Sequence, residues 1–262
     1  MNQTSFLSQL HLKYLFHISD IHIRNEESYQ ANYLTQFQKT FQQINTHPDY
    51  HPKKALIVVT GDIFHSSLKI SAIAIDLLGI FLDGLTKLGP TIIIPGNHDE
   101  KKDVGEYDTS SLSAAINLSG GLNKNNLFYL KDSGIYYFGD NLVFGHTSVI
   151  DKKLIPASDI PDENKFKIAL FHGMIDTKRD SDFILKGSDF AITDFHGYHK
   201  VLLGDVYKIQ NVADQSHIYY SGSLIQQNYG EDRLLHGGLL VWSLYHNTPP
   251  DFIPIPNDFQ YL

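Results

Sequence analysis

LIVVTGD (Leu56–Asp62) is an unbroken run of apolar and β-branched residues that closes on Gly61-Asp62. A run of this kind reads as a strand buried on both faces. Helical patterns flank it. Tyr33–Ile44 sets Leu34, Phe37, Phe41 and Ile44 at spacings of three and four, and Ile70–Leu88 does the same with Ile73, Leu77, Ile80, Phe81 and Leu85 before Gly89-Pro90 ends it. Further out, similar runs end on polar residues. YLFHIS (Tyr14–Ser19) meets Asp20, and TIII (Thr91–Ile94) meets Pro95-Gly96-Asn97-His98-Asp99. IALF (Ile168–Phe171) meets His172-Gly173, and VLL (Val201–Leu203) meets Gly204-Asp205. Strands alternating with helices predict a parallel sheet, and such sheets gather functional residues beyond their carboxyl ends. The fold class is α/β.

The later chain changes texture. Tyr136–Phe144 reads as a hairpin around Gly139-Asp140-Asn141, and Ile218–Leu224 and Gly238–Leu244 read as further, antiparallel strands. Asp151–Asn164 and Lys178–His199 look like loop-rich excursions near the site. With no repeat, low-complexity tract or evident linker, residues 1–262 read as a single domain.

Composition narrows the function classes. Hydrophobic residues make up 42% and charged residues 19% of the 262, as in a globular protein with a sizeable core. The formal net charge of −8 argues against a protein that merely coats nucleic acid, but less against a metal-dependent nuclease, whose bound dications reverse the local charge. Without cysteine, disulfides, zinc fingers and thiol catalysis are excluded. No apolar run is long enough to cross a bilayer, and MNQTSFLSQLHLKYLF lacks the pattern of a secretory signal. The simplest expectation is a soluble intracellular protein, in cytoplasm or nucleus, without membrane partners.

The chemistry lies at the strand ends. Asp20 and His22 stand two residues apart, and strand alternation would turn both to one side. Asp62 adds a carboxylate. Asn97 offers a neutral oxygen, and His98 beside Asp99 suits a polarised acid or base. His172 and Asp205 follow in order. Together they supply the oxygen and nitrogen donors that suit manganese, iron or zinc. Any one of them alone would more often be an ordinary turn or core residue; the ordered series is the signal.

That series resembles the calcineurin-like metallophosphoesterases, whose motifs run D-x-H, G-D, G-N-H-D/E, a Gly-His pair and G-H-x-H. Finer features resemble the SbcD branch, a DNA double-strand-break repair nuclease: His17-Ile18-Ser19-Asp20-Ile21-His22, Gly61-Asp62-Ile63-Phe64-His65, Lys208-Ile209-Gln210 and Tyr220-Ser221-Gly222-Ser223-Leu224. The likeness runs from about residue 14 to 245. It implies a four-layer α/β/β/α sandwich and two divalent ions, Mn²⁺ first, with Mg²⁺, Fe²⁺ or Zn²⁺ as alternatives. Asp62 would bridge them. Asp20 and His22 would complete the first site, with Asn97, His172 and Asp205 completing the second. His98 would protonate the leaving oxygen while Asp99 orients its ring. DNA and an SbcC-type ABC ATPase are the implied partners, and a homodimer is left open.

Two departures stand out. The last motif offers Asp205 and Tyr207 where the family has two histidines. A carboxylate replaces the first plausibly, whereas a neutral phenol is a poor ligand near pH 7. Tyr207 is therefore an altered ligand position; natural tuning, natural loss of activity and an introduced substitution all fit it. No capping or ATPase-binding region is evident, as in a minimal member or a fragment. The expected activity is a metal-dependent exo- or endonuclease on DNA. The alternatives are a small-molecule phosphodiesterase of cyclic or dinucleotides, and an inactive nuclease-like interaction module. Arg24, Tyr29, Tyr33, Lys69, Lys101 and Lys102 flank the first three motifs and could line a groove for a phosphate backbone.

Overall fold

Leu56 and Val58 point to one side of their strand and Ile57 and Val59 to the other, and this alternation divides the molecule into layers. The computed structural model describes residues 10–100, 111–121, 125–161, 165–176, 190–232, 234–246 and 248–258. Lys101, Lys102 and residues 178–189 lie outside that description.

Two six-stranded sheets pack face to face. The first runs β14 (Asp251–Pro254), β13 (Gly238–Ser243), β1 (Tyr14–Ile18), β2 (Ala55–Val59), β3 (Thr91–Ile93), β4 (Leu127–Tyr129). The second runs β11 (Gln210–Val212), β12 (Gln215–Tyr220), β10 (Lys200–Gly204), β7 (Phe166–His172), β6 (Leu142–Thr147), β5 (Gly134–Phe138). β1 and β2 pair in parallel with Ile18 opposite Val59, and β7 and β10 in parallel with His172 opposite Gly204. Leu15, Leu56, Val58, Ile92, Ile168, Leu170, Leu202 and Trp242 fill the space between the sheets. Phe16, Ile18, Ile57, Val59 and Ile93 face the opposite way, under the helices α1 (Gln30–Thr46) and α2 (Ala72–Leu88). The rings of Phe37 and Phe81 join these helices at 4.6 Å. On the outer face of the second sheet, Ala169, Phe171, Val201 and Leu203 meet the 3₁₀ turns Ala157–Asp159 and Ile192–Phe195 and their surroundings. Strands β8 (Ile175–Asp176) and β9 (Phe190–Ala191) form a small separate pair.

This is the expected α/β sandwich, with three local differences. The strand expected over Ile218–Leu224 is β12, ending at Tyr220; it is antiparallel to β11 but parallel to β10. The chain turns at Gly222, in left-handed backbone at φ 74°, and crosses to the first sheet, where the Leu224 amide donates to the Ser19 carbonyl at 3.0 Å. Ile80 is 43% exposed, because Leu77, Leu78, Phe81, Leu82 and Leu85 form the inward stripe and Ile80 falls beside it. A third helix, α3 (Ser111–Leu118), carries no expectation from the sequence. α2 begins where the Ser71 hydroxyl accepts from the Ala74 amide at 3.1 Å, an N-cap.

Candidate metal centre

The loops beyond β1 and β2 continue their strands' pairing. Amides of Ile21 and His22 both donate to the Asp62 carbonyl at 2.9 Å, and the Asp20 amide donates to the Gly61 carbonyl at 3.1 Å. Left-handed backbone then aims the side chains: φ is 54° at Asp20, 48° at His22, 52° at Asp62 and 94° at Asp205. Simple strand alternation, the expectation for Asp20 and His22, is not what brings them together. Non-glycine residues rarely adopt this region, and its concentration at functional sites reflects strain held by surrounding structure. Gly61 is itself left-handed, and a Cβ there would lie 2.6 Å from His172 Nδ1 and 2.7 Å from the Gly96 amide. Only glycine lets the two sheets approach so closely.

Asp62 sits in the middle. One carboxylate oxygen is 3.4 Å from His22 Nε2, and the other is 3.3 Å from His172 Nε2 and accepts from the His98 amide at 2.9 Å. Asp20 Oδ1 is 3.6 Å from His22 Nε2, while Asp20 Oδ2 accepts from the Asp205 amide at 3.1 Å. His172 Nδ1 donates to the Thr60 carbonyl at 2.6 Å, which directs Nε2 toward Asn97 Oδ1 at 3.0 Å and Asp205 Oδ1 at 3.8 Å. A carbonyl behind the ring is how ligating histidines are oriented in metal sites. The structure thus brings Asp20, His22, Asp62, Asn97, His172 and Asp205 into one cluster past β1, β2, β3, β7 and β10.

Among the described residues, two sets of donors whose atoms lie within 4.8 Å of one another could each hold an ion: Asp20, Asp62 and His172, and His22, Asp62 and His98. Asp62 is common to both. Asp20 Oδ1 and both ring nitrogens of His22 are buried and make no hydrogen bond among the described residues. Leaving such groups buried and unsatisfied is costly, and a cation between Asp20 Oδ1 and His22 Nε2, 3.6 Å apart, is one remedy for those two atoms. The donor chemistry fits a pair of divalent ions.

The carboxylates make the site favourable to positive charge. Burial opposes the charged form of His172, but Asp62, Asp20 and Asp205 outweigh it and push its pKa up to about 10. Burial would likewise raise the Asp62 carboxyl, yet His172, His22 and His98 hold it well below the usual carboxylate range. Burial raises the Asp205 carboxyl, with Asp20 and Asp62 acting in the same direction.

Asp99 has a different task from the expected one. Its carboxylate accepts from the amides of Phe64 at 2.9 Å, Gly96 at 2.9 Å and Ile63 at 3.2 Å, tying the loops after β2 and β3 together. Burial and the Asp62 charge push its pKa up to about 7 against those amides. The His98 ring is held instead by the His65 carbonyl, which accepts from Nδ1 at 2.7 Å. His98 and His22 meet edge to face at 4.9 Å, and the His65 ring lies 5.8 Å from His22. His65 is the member that sequence reasoning leaves without a role, although the spacing Gly-Asp-x-x-His marks it.

Tyr207 lies edge-on to His22 at 5.3 Å. Burial, then Asp20, Asp62 and Asp205, raise its phenol well above the usual value, so it keeps its proton. Tyr33, expected to line a groove, is buried beneath the site: its hydroxyl donates to the His22 carbonyl and accepts from the Arg24 amide. Tyr29 packs against the helical core. Arg24 is partly buried and reaches Gln227, and Lys69, whose carbonyl accepts from the Asn25 side chain, is exposed.

The chain belongs to the calcineurin-like phosphoesterase family, whose model matches residues 14–238. Members typically bind two divalent metals and hydrolyse phosphoesters. Among its relatives, the uncharacterized protein R555 of Acanthamoeba polyphaga mimivirus is 38% identical over 264 residues, 97% of this chain and 19% of that one. The SbcD subunit of the SbcCD nuclease of Staphylococcus saprophyticus is 26% identical over 222 residues, 76% of this chain and 58% of that one. The chain therefore spans about a fifth of the first relative and under two thirds of the second. A Pseudomonas putida nuclease MPE structure is 11% identical over 90% of this chain and 86% of that one, with a TM-score of 0.40, too distant to bear on activity. Among the described residues, no helix is long and apolar enough to cross a membrane.

Proposed function

We propose that this chain is a two-metal phosphodiesterase acting on nucleic acid, a DNA nuclease of the SbcD type. The observation that carries the metal part is the sharing of Asp62 between two donor sets beside Asp20 Oδ1 and His22 Nε2, which make no hydrogen bond among the described residues. The nuclease part draws support from the staphylococcal SbcD relative and from the Gly-Asp-x-x-His and Tyr-Ser-Gly-Ser segments of the sequence.

By the family pattern Asp20, His22 and Asp62 would hold one ion, and Asp62, Asn97, His172 and Asp205 the other. The donor distances instead group Asp20 with His172 and His22 with His98, Asp62 being shared either way, and Mn²⁺ is the first choice for these donors. Two ions held there would supply the Lewis acidity that lowers the pKa of a water and offsets the phosphate charge. The protein's own part is positioning. The His65 carbonyl holds the proton on His98 Nδ1, which turns Nε2 to the site. In the imidazolium form the Nε2 proton is the one that would pass to the leaving oxygen, leaving the neutral ring with its proton on Nδ1. Thr60 turns His172 inward, and Asp99 sets the spacing of the loops that carry Asp62 and His98. The half-buried Tyr207, still protonated, covers the side of His22 rather than joining the ligands. An SbcC-type ATPase as partner and an intracellular setting belong to the same reading.

A small-molecule phosphodiesterase is the second reading, favoured by the net charge of −8 and by the withdrawal of Tyr33 from the surface. The test is Mn²⁺-dependent cleavage of labelled single- and double-stranded oligonucleotides beside cyclic dinucleotides, with Asp62→Asn as control. Oligonucleotide cleavage lost in the variant supports the nuclease. Turnover confined to the cyclic dinucleotides would transfer the assignment to the second reading.

A further inference from the structure

Gln226-Gln227-Asn228-Tyr229-Gly230-Glu231 follows the crossing from the second sheet to the first, and one carboxylate organises it. Glu231 accepts from the Ser223 hydroxyl at 2.8 Å, the Gln227 amide at 3.1 Å, the Asn228 amide at 3.0 Å and Asn228 Nδ2 at 2.7 Å. Gln226 Nε2 donates to the Glu231 carbonyl at 2.9 Å, and the Gly230 amide donates to Asn228 Oδ1 at 2.9 Å. Downstream, Asp232 Oδ1 accepts from the amides of Leu234 and Leu235. The loop is braced on both sides of Tyr229, yet that side chain is 63% exposed.

The loop also belongs to the rim of the metal centre. The Ser223 amide donates to the Tyr207 carbonyl at 2.9 Å, and Arg24, two residues past His22, reaches Gln227 Oε1 at 3.5 Å. Other exposed apolar side chains follow residues of the metal centre in the chain: Leu68, three residues past His65, and Met174, two past His172. Beside the cations Arg24 and Lys69, these exposed aromatic and apolar side chains offer faces on which nucleobases can stack. An aromatic ring held ready on a braced loop spends little ordering entropy when it stacks.

Resting on the nuclease reading, we infer that Tyr229 is a specificity-determining residue that stacks on a nucleobase, so that the preferred substrate presents an unpaired nucleotide near the scissile phosphate. Paired bases inside a duplex offer no free face, and a substrate without bases gains nothing from the ring.

The experiment measures binding of a fluorescent oligothymidylate by anisotropy, with Tyr229→Ala, Tyr229→Phe and an oligonucleotide carrying abasic sites in place of thymidines. Stacking predicts about tenfold weaker binding for the Ala variant, little change for Phe, and no difference between wild type and Ala on the abasic strand. Equal affinity of wild type and Ala for oligothymidylate overturns the inference, as does an equal loss on the abasic strand or no binding by the wild type. Hydrolysis of bis(p-nitrophenyl) phosphate with Mn²⁺ reports separately on the metal chemistry. Its retention with no stacking signature would discard Tyr229 alone, and its absence from the wild type would instead count against the phosphodiesterase.

Discussion

Acid should weaken this fold through two histidines that take no part in the metal centre. His146, on β6, is fully buried; its Nδ1 donates to the Leu170 carbonyl at 3.3 Å, and its Nε2 makes no hydrogen bond of ordinary geometry among the described residues. Burial lowers its pKa from 6.5 to about 4. His17, on β1, is also fully buried, with Nε2 2.9 Å from the Thr60 hydroxyl, and burial lowers its pKa to about 3. In both cases the folded value lies below the unfolded one, so the unfolded chain takes up protons first as pH falls. Stability is full above about pH 6.5 and is lost progressively below it. At about 1.4 kcal/mol per pH unit, each histidine removes about 2 kcal/mol between pH 6.5 and pH 5. Replacing His146 with Leu removes one of the two contributions. Urea unfolding of both proteins at pH 7, 6 and 5, with chelator present, gives the comparison. The wild type should lose about 2 kcal/mol more than His146→Leu over that range. Parallel losses in the two proteins would refute the assignment of His146 as a buried neutral group.

Other predictions concern the site. His98→Asn should lower phosphodiester cleavage by about a hundredfold while leaving Mn²⁺ uptake, measured by calorimetry, nearly unchanged; a parallel fall in uptake would make His98 a ligand, as its place beside His22 and Asp62 also permits. Tyr207→His should restore an imidazole beside His22 and raise apparent Mn²⁺ affinity about tenfold, or about 1.4 kcal/mol, read from activity titrated against the metal. Unchanged affinity at every concentration would leave Tyr207 as cover for the site and nothing more.

Much of this is legible in the sequence for a specific reason. Strands buried on both faces must be apolar throughout, so YLFHI, ALIVV and IALF announce themselves, and the polar residues that end them stand out by contrast. The cluster around Asp62 can be read from that order alone. What stays hidden depends on backbone geometry and on partners far away in the chain. Nothing in Asp-x-His reveals that Asp20 and His22 are left-handed, because the strain is imposed by the loop after β2. Asp99 looks like the orienter of its neighbour, but three amides from two loops claim its carboxylate. Tyr33 and Ile80 fall elsewhere than expected because a stripe drawn at spacings of three and four fixes a helix face only to within a residue or so, and tertiary packing chooses the rest.

The central claim is that Asp62 joins two metal sites. Its direct measurement is Mn²⁺ stoichiometry by calorimetry, with elemental analysis of the dialysed complex, for the wild type and Asp62→Asn. Two ions per wild-type chain, and a variant that loses affinity at both sites while its circular dichroism stays unchanged, is the predicted result. A single ion in the wild type, or a variant that still holds two with the same affinity, would contradict it.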